Sequence, residues 1–331
     1  MKNYSDSIGI DVSKTYFDAI IFNLSIHRRF TNDAKGFNGF NKWILKQGLR
    51  LNNVLVCFEH TGYYSLRLSV YLNEKGIDYS QIHALHLKRS IGFRRGKSDK
   101  VDAKDIARYA WLNREVIILS VPPTPNLIKL QQLKSVRDMF VRQSVALQNQ
   151  IKSFDVVGDH KVSGAAKKAL KAVLRNLEKQ ISKVEQEIRD VIKSDDELRR
   201  NYKLCTSIVG VGLVVALEMM IHTQNFTCFD SWRKFAAYCG TVPYPYQSGT
   251  SIHGRHRIHP VCDRRMKSLL TMAAISAIRA DPEIRMFYQR RLDEGKPKMS
   301  VINMVRNKVL ARMFATVNRG TPYVVLSKHA A

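Results

Sequence analysis

Acids are scarce in this chain. Among its 331 residues, 28 are Asp or Glu against 54 Lys or Arg, a formal charge of +26. Such a surplus destabilises a compact protein through self-repulsion, so it points to an anionic partner. Nucleic acid leads, because cations that displace the counterions around phosphates gain binding energy. An anionic membrane surface is the lesser alternative. Long apolar runs are also missing: none approaches the roughly 20 residues of a membrane span, and the opening MKNYSDSIGIDVSK lacks an apolar signal-peptide core. Cysteines are few, and Cys57, Cys205, Cys228, Cys239 and Cys262 show no paired spacing, which suits a reducing cytoplasm. A basic cytoplasmic protein without membrane attachment is the expectation, with 45% hydrophobic residues and enough length for two or three cores.

The first part alternates strand and helix signals. SIGIDVS reads as a short strand ending at Asp11, and TYFDAIIFN and SIHRRFT as the next two strands of a meander. A helix at AKGFNGFNKWILKQ, a buried strand NVLVCFE ending at Glu59, a helix at YYSLRLSVYLNEKG and a strand DYSQIHA follow. A basic run then leads into the helix DKVDAKDIARYAWLN. Three strands, then helix, strand, helix, strand, helix is the element order of an RNase H-like domain, and of many other α/β domains. The proline-rich VPPTPN at 121–126 marks the first boundary.

The middle is helical. Leu170, Leu174, Leu177, Ile181, Val184, Ile188 and Val191 alternate spacings of four and three, a heptad seam. The preceding helix, about 126–154, carries Leu133, Phe140 and Leu147 seven apart, and DVVGDHKVSGAA is read as the loop of a helical hairpin. The seam serves either an internal two-helix packing or a coiled-coil arm joining subunits; both bury the same residues. In the last part, Gly210 and Gly212 lie between two apolar helical segments. They are either the turn of a helix-hairpin-helix, bringing backbone N–H groups to a phosphate, or a site of tight helix packing. TVPYPYQSGTSIHGRHRIHPVCD is read as a long loop, flanked by helices.

Chemistry-bearing residues cluster in two places. Asp11 and Glu59 end their strands, and Asp102 and Asp105 stand one helical turn apart. Four such carboxylates can hold two Mg²⁺ ions about 4 Å apart, one activating a nucleophile and one stabilising the departing oxygen. Acids at a helix start also complement the helix dipole, and Asp99 fits that account best. Lys97, Lys100 and Lys104 would then contact phosphate. The second place is the loop beyond Ser248, with His253, Arg255, His256, Arg257 and His259. Its cations suit a phosphate transition state. Ser-Gly is also a common turn pair, and His253, His256, His259 and Cys262 are a rival zinc set that Pro260 disfavours.

GIDVSK, FEHTGYY and KSDKVDAKDIA, followed far downstream by FAAYCGTVPYPYQSG, resemble the DEDD transposases of the insertion-sequence 110 group, whose relatives include invertases of the Piv type. The resemblance runs over nearly the whole chain. It implies a RuvC-like N-terminal domain of RNase H fold whose catalytic and metal-binding set is Asp11, Glu59, Asp102 and Asp105. It implies a C-terminal transposase domain with Ser248 as nucleophile. It further implies site-specific recombination of donor and target DNA, a covalent phosphoserine link, and, as in many family members, guidance by a structured bridge RNA. One departure is that the family's Gly-Asn and Arg-bearing helix is replaced by HRIHPVCDRRMKSLL, where Arg264 or Arg265 stands in for the arginine.

The expectation is thus an α/β RuvC-like domain over 1–125, a helical coiled-coil region over 126–203 and a mostly α-helical transposase domain over 204–331. The expected activity is Mg²⁺-dependent strand cleavage and exchange by a homo-oligomer, dimer or tetramer. Lys97, Lys100, Lys104, Gly210, Gly212, Arg255 and Arg257 are the expected nucleic-acid contacts. The alternatives are a junction nuclease that uses metal-activated water, and a non-catalytic basic nucleic-acid-binding protein.

Overall fold

The computed structural model describes residues 3–91, 98–156, 160–249 and 251–325. The chain divides into two compact units, Met1–Pro122 and Pro123–Ala331.

In the first unit β1 (Asp6–Val12), β2 (Tyr16–Ile21) and β3 (Ile26–Thr31) form an antiparallel meander. After α1 (Ala34–Lys46), β4 (Val54–Glu59) joins the other side of β1 in parallel, and after α2 (Tyr63–Glu74), β5 (Tyr79–Ile82) extends the sheet in parallel again. The order is β3-β2-β1-β4-β5. Alternation along β1 separates two faces. Ile8, Ile10 and Val12 pack with Phe37, Phe40, Trp43 and Ile44 of α1 and with Leu68 and Leu72 of α2. Ser7 and Gly9 face α4 (Asp99–Asn113). There the Ser7 hydroxyl donates to the Ala107 carbonyl at 2.8 Å. A short helix, α3 (Ala84–Ile91), precedes α4; the sequence pattern does not separate it from the basic run.

Gly9 lets α4 touch the sheet. A Cβ at this position would lie 2.1 Å from the Ala103 carbonyl oxygen and 2.2 Å from the Ala107 nitrogen, both backbone atoms that cannot rotate away. Gly9→Ala is therefore expected to lift α4 and destabilise the first unit by about 3 kcal/mol or more, read as a lower midpoint in urea unfolding.

The second unit opens with two long helices, α5 (Pro125–Val156) and α6 (His160–Ser194). Helix rather than loop occupies much of 155–166, so the connection is shorter than expected from the sequence. Contacts between Asn126 and Asp195, Arg137 and Glu185, and Asp155 and Lys167 show that the helices run antiparallel. Val184, Ile188 and Val191 of the heptad seam are buried with Leu127 and Leu130 of α5. Leu170, Leu174 and Leu177, nearer the tip, are half-buried.

Then come α7 (Asp196–Thr206), α8 (Leu213–His222) and α9 (Trp232–Tyr238). They are followed by β6 (Pro243–Ser248), β7 (Ile252–Ile258), α10 (Arg264–Ala280), α11 (Pro282–Asp293) and α12 (Lys298–Arg319). Their shared core includes Met219, Phe235, Met266, Leu270, Val305, Val309 and Met313. The stretch read as a long loop contains an antiparallel hairpin of β6 and β7. Its prolines and charges suggest loop, but Tyr244, Tyr246, Ile252 and Ile258 supply strand-forming side chains. Prolines are tolerated because each strand of a two-stranded ribbon has an open edge. The register shifts between Tyr244 and Tyr246, around Pro245.

Gly210 adopts φ +93°, and a Cβ there would lie 2.5 Å from the Ala273 carbonyl oxygen. Close approach to α10 accounts for this glycine. Gly212 is the N-cap of α8, and its Cβ position is open. Among the described residues, no helix is long and apolar enough to cross a membrane.

Candidate active site

The first candidate site is the acidic end of the first unit. β1 and β4 run parallel in register up to Ile10 opposite Phe58, so the next residues along, Asp11, one before the end of β1, and Glu59, the last of β4, lie side by side on adjacent strands. On its other flank Asp11 pairs with Asp18 of β2. α4 runs against β1: Ala107 sits at Ser7 and Ala103 at Gly9, so the first turns of α4 reach towards Asp11. The helix starts there because Ser98 caps it, its side chain accepting from the Val101 amide. Asp102 and Asp105 are thereby carried to the strand ends. Asp105 is buried, while Asp11, Glu59 and Asp102 are half-buried.

Asp99 is the first residue of α4 and pairs with Arg29 of β3 at 3.1 Å. The same guanidinium holds Asp18, its Nε donating at 3.0 and 3.2 Å, and His27 Nε2 lies 2.7 Å from Asp18. Asp18 is 4% exposed and is not among the acids expected at the site. Its signal in the sequence is a carboxylate inside the apolar run TYFDAII. Lys100 and Lys104 are exposed on α4; Lys97 lies outside the described residues.

All four acids offer oxygen ligands, the donor chemistry a hard divalent cation takes. Backbone register brings them to one end. Among the described residues, however, no three Asp, Glu, His or Cys side chains stand close enough together to hold an ion.

The second candidate site is the β6–β7 hairpin. Ser248 closes β6 opposite Ile252, and Gly249, at φ +57°, starts the turn. The side chains of Ser248, His253, Arg255 and His256 lie outside the described residues. Arg257, opposite Tyr244, is exposed. The ring nitrogen Nδ1 of His259 accepts the Val261 amide at 3.2 Å.

Both ends of the hairpin are anchored. After β7, Asp263 caps α10, accepting from the Met266 amide at 2.7 Å, while its own amide donates to the Tyr238 carbonyl at 2.9 Å. The Tyr238 hydroxyl lies 3.3 Å from Asp263 Oδ2 and 3.1 Å from His222 Nδ1. Burial first, then the Asp263 carboxylate, pushes the Tyr238 hydroxyl pKa well up, so it remains a donor.

Behind this lies Glu218 of α8, fully buried. Lys134 Nζ stands 2.9 Å and Arg265 Nε 3.1 Å from its oxygens. Neither carboxylate oxygen makes an aligned hydrogen bond, so these contacts are chiefly ionic. Burial works to raise the Glu218 pKa, but the contacts with His222 and Lys134 outweigh it and hold the group below its ordinary value. Arg265 also pairs with Asp138 of α5. Both arginines offered as the family's arginine are exposed at the start of α10; Arg265 differs in pairing with Glu218 and Asp138.

Comparison with known proteins bears on both sites. Residues 8–154 match the DEDD transposase domain of the IS110 group. Residues 202–289 match the transposase domain of the IS116/IS110/IS902 family. A pilin gene-inverting protein of Moraxella bovis is 27% identical over 96% of this chain and 97% of its own length. Its counterpart in Moraxella lacunata is 27% identical over the same shares. A 43.6 kDa protein of the insertion element IS110 from Streptomyces coelicolor is 30% identical over 36% of this chain and 29% of its own length. The first match contains Asp11, Glu59, Asp102 and Asp105, and the second contains Ser248. The chain therefore carries the two transposase domains of the insertion-sequence 110 family and is a DNA transposase or recombinase.

Proposed function

We propose that the protein is a site-specific recombinase of an insertion element that joins donor to target DNA through a serine–DNA covalent intermediate, guided by a structured bridge RNA. The observation that carries this reading is backbone placement: Asp11 and Glu59 lie on adjacent strands at one end of the sheet, and the first turns of α4, which bear Asp102 and Asp105, pack towards that end. The strand order and the helices on both faces support an RNase H-like, RuvC-type fold for the first unit.

In this reading Asp11, Glu59, Asp102 and Asp105 hold Mg²⁺, which when bound would neutralise charge developing on phosphate oxygens. The Ser248 oxygen attacks a backbone phosphorus and loses its proton; one P–O bond breaks, and the freed oxygen leaves as a hydroxyl. The phosphoserine link conserves the bond energy, and a hydroxyl from another strand reverses the attack, so no external water is consumed. Arg255 and Arg257 of the second unit and Lys97, Lys100 and Lys104 of the first supply the charge that binds phosphate. Gly212, with open space at the start of α8, is the better phosphate contact of the glycine pair. The enzyme works as a dimer or tetramer; the α5–α6 hairpin buries part of its heptad seam internally.

The test is a denaturing gel of protein with element-end DNA, Mg²⁺ and RNA extracted from cells. A protein-linked strand supports recombination. Cleavage without an adduct moves the function to a junction nuclease, and no metal-dependent cleavage leaves a binder. The charge surplus carries its own expectation. Affinity for DNA or RNA should fall steeply between low and physiological salt, with a log–log slope reflecting several released counterions. A nearly salt-independent affinity in a filter-binding titration contradicts it.

A further inference from the structure

The serine-bearing hairpin leaves the core of the second unit at Thr241, two residues before β6. Thr241 is fully buried. Its amide donates to the Ala236 carbonyl at 2.9 Å, its hydroxyl lies 3.1 Å from the same oxygen, and α12 supplies the remaining partners. Asn303 Nδ2 donates to the Thr241 carbonyl at 2.7 Å, and Asn307 Nδ2 donates to the same oxygen at 3.1 Å. The Thr241 hydroxyl donates to Asn307 Oδ1 at 2.7 Å. Residues four apart share a helix face, so both amides reach one point.

Between them in sequence stands Arg306. It is 5% exposed, and its Nη1 donates to Asn303 Oδ1 at 3.1 Å. That bond orients the Asn303 amide, leaving Nδ2 to face Thr241. Among the described residues no carboxylate pairs with Arg306 at ion-pair distance, and its Nε has no hydrogen-bond partner. A buried guanidinium without a counter-charge is costly. A position that only needed filling would be better served by Met or Leu. The neighbouring Val305 and Val309 show that apolar side chains suit this side of α12.

We propose that Asn303, Arg306 and Asn307 are positioning residues that clamp the foot of the Ser248 hairpin through Thr241. The inference rests on the reading of Ser248 as nucleophile. Arg306 acts at one remove, by fixing Asn303, and the two asparagines fix the chain two residues before β6. The clamp leaves the tip free to meet DNA while its root stays at one place, which is what an attacking oxygen needs.

The test uses the full chain and two readouts. Arg306→Met and Asn303→Ala should raise hydrogen exchange of the hairpin amides, 244–258, by about tenfold relative to those of α10. The reaction rate at saturating DNA should fall about 10²-fold, with the dissociation constant for DNA changed less than about twofold. Arg306→Lys, which keeps a donor for Asn303, should recover most of the loss. Thr241→Val removes only the hydroxyl and keeps the shape, and should show a smaller loss that Thr241→Ser restores; this pair covers the case in which the α12 variants fail to fold. Unchanged hairpin exchange, exchange rising equally in α10, or Arg306→Lys behaving like Arg306→Met overturns the clamp. If the hairpin loosens as expected while Ser248→Ala still forms an adduct, the clamp stands and the nucleophile reading falls.

Discussion

Replacing Ser248 by alanine is expected to abolish strand cleavage and the covalent adduct while leaving the fold and nucleic-acid binding intact. Alanine supplies no nucleophile, and acids that position an ion and a phosphate do not substitute for the attacking oxygen. Fold should survive because Ser248 ends a strand beside a turn, outside the helical core of the second unit. Ser248→Cys should keep at most a trace, since a thiol is nucleophilic but softer and larger. Ser251, exposed on the far side of the turn, is the nearest hydroxyl to be confused with it, and Ser251→Ala should be tolerated. Labelled DNA, trapping in denaturant and mapping of the linked peptide decide the matter. An adduct on another residue, or full cleavage by Ser248→Ala without an adduct, transfers the attack to water.

The second large effect belongs to the acids. Asp11→Ala, or Asp102→Ala combined with Asp105→Ala, should reduce cleavage by about 10³-fold or more, because ligation of an ion matters chiefly in the transition state. DNA binding should survive, and chelation should have the same effect on the unaltered protein. Since Asp105 is buried beside the sheet, Asp105→Asn is the better single change: it keeps the shape and removes the charge. Asp99→Ala should be mild, for Asp99 stands at the exposed helix start on Arg29. Manganese titrated into the protein and followed by its spin-resonance signal gives a readout independent of cleavage. Full activity in the Asp11 variant, or complete loss on changing Asp99, would show that the wrong carboxylates were chosen.

Alternation and clustering of apolar residues make the five strands of the first unit legible in the sequence, and the stretch DKVDAKDIARYAWLN reads as the helix α4. The placement of Asp11 and Glu59 at strand ends follows from the same pattern. What the pattern does not supply is register. That Asp11 stands between Glu59 and Asp18 depends on which strands pair, and pairing is decided by contacts between distant segments. The β6–β7 hairpin is hidden because two prolines and a run of Arg and His outweigh four strand-forming side chains locally. Glu218 reads in sequence as an ordinary helical acid; its partners Lys134 and Arg265 come from two other helices. Asn303, Arg306 and Asn307 look like a solvated helix face, and only packing shows that Arg306 is inside. Heptad spacing reveals the α6 seam but not its partner, since a seam is equally apolar against α5 or against another copy.

The prolines of β6 also decide what the hairpin cannot join. Pro243 and Pro245 are two residues apart and carry no amide hydrogen, so the rim of β6 turned away from β7 lacks donors at both. A further strand laid along that rim would leave its own carbonyls unmatched opposite the two prolines. Sheet growth on that side, whether by a stray segment, an aggregating neighbour or a second hairpin, is therefore disfavoured. Along that rim Pro243 and Pro245 offer carbonyl acceptors but no donors.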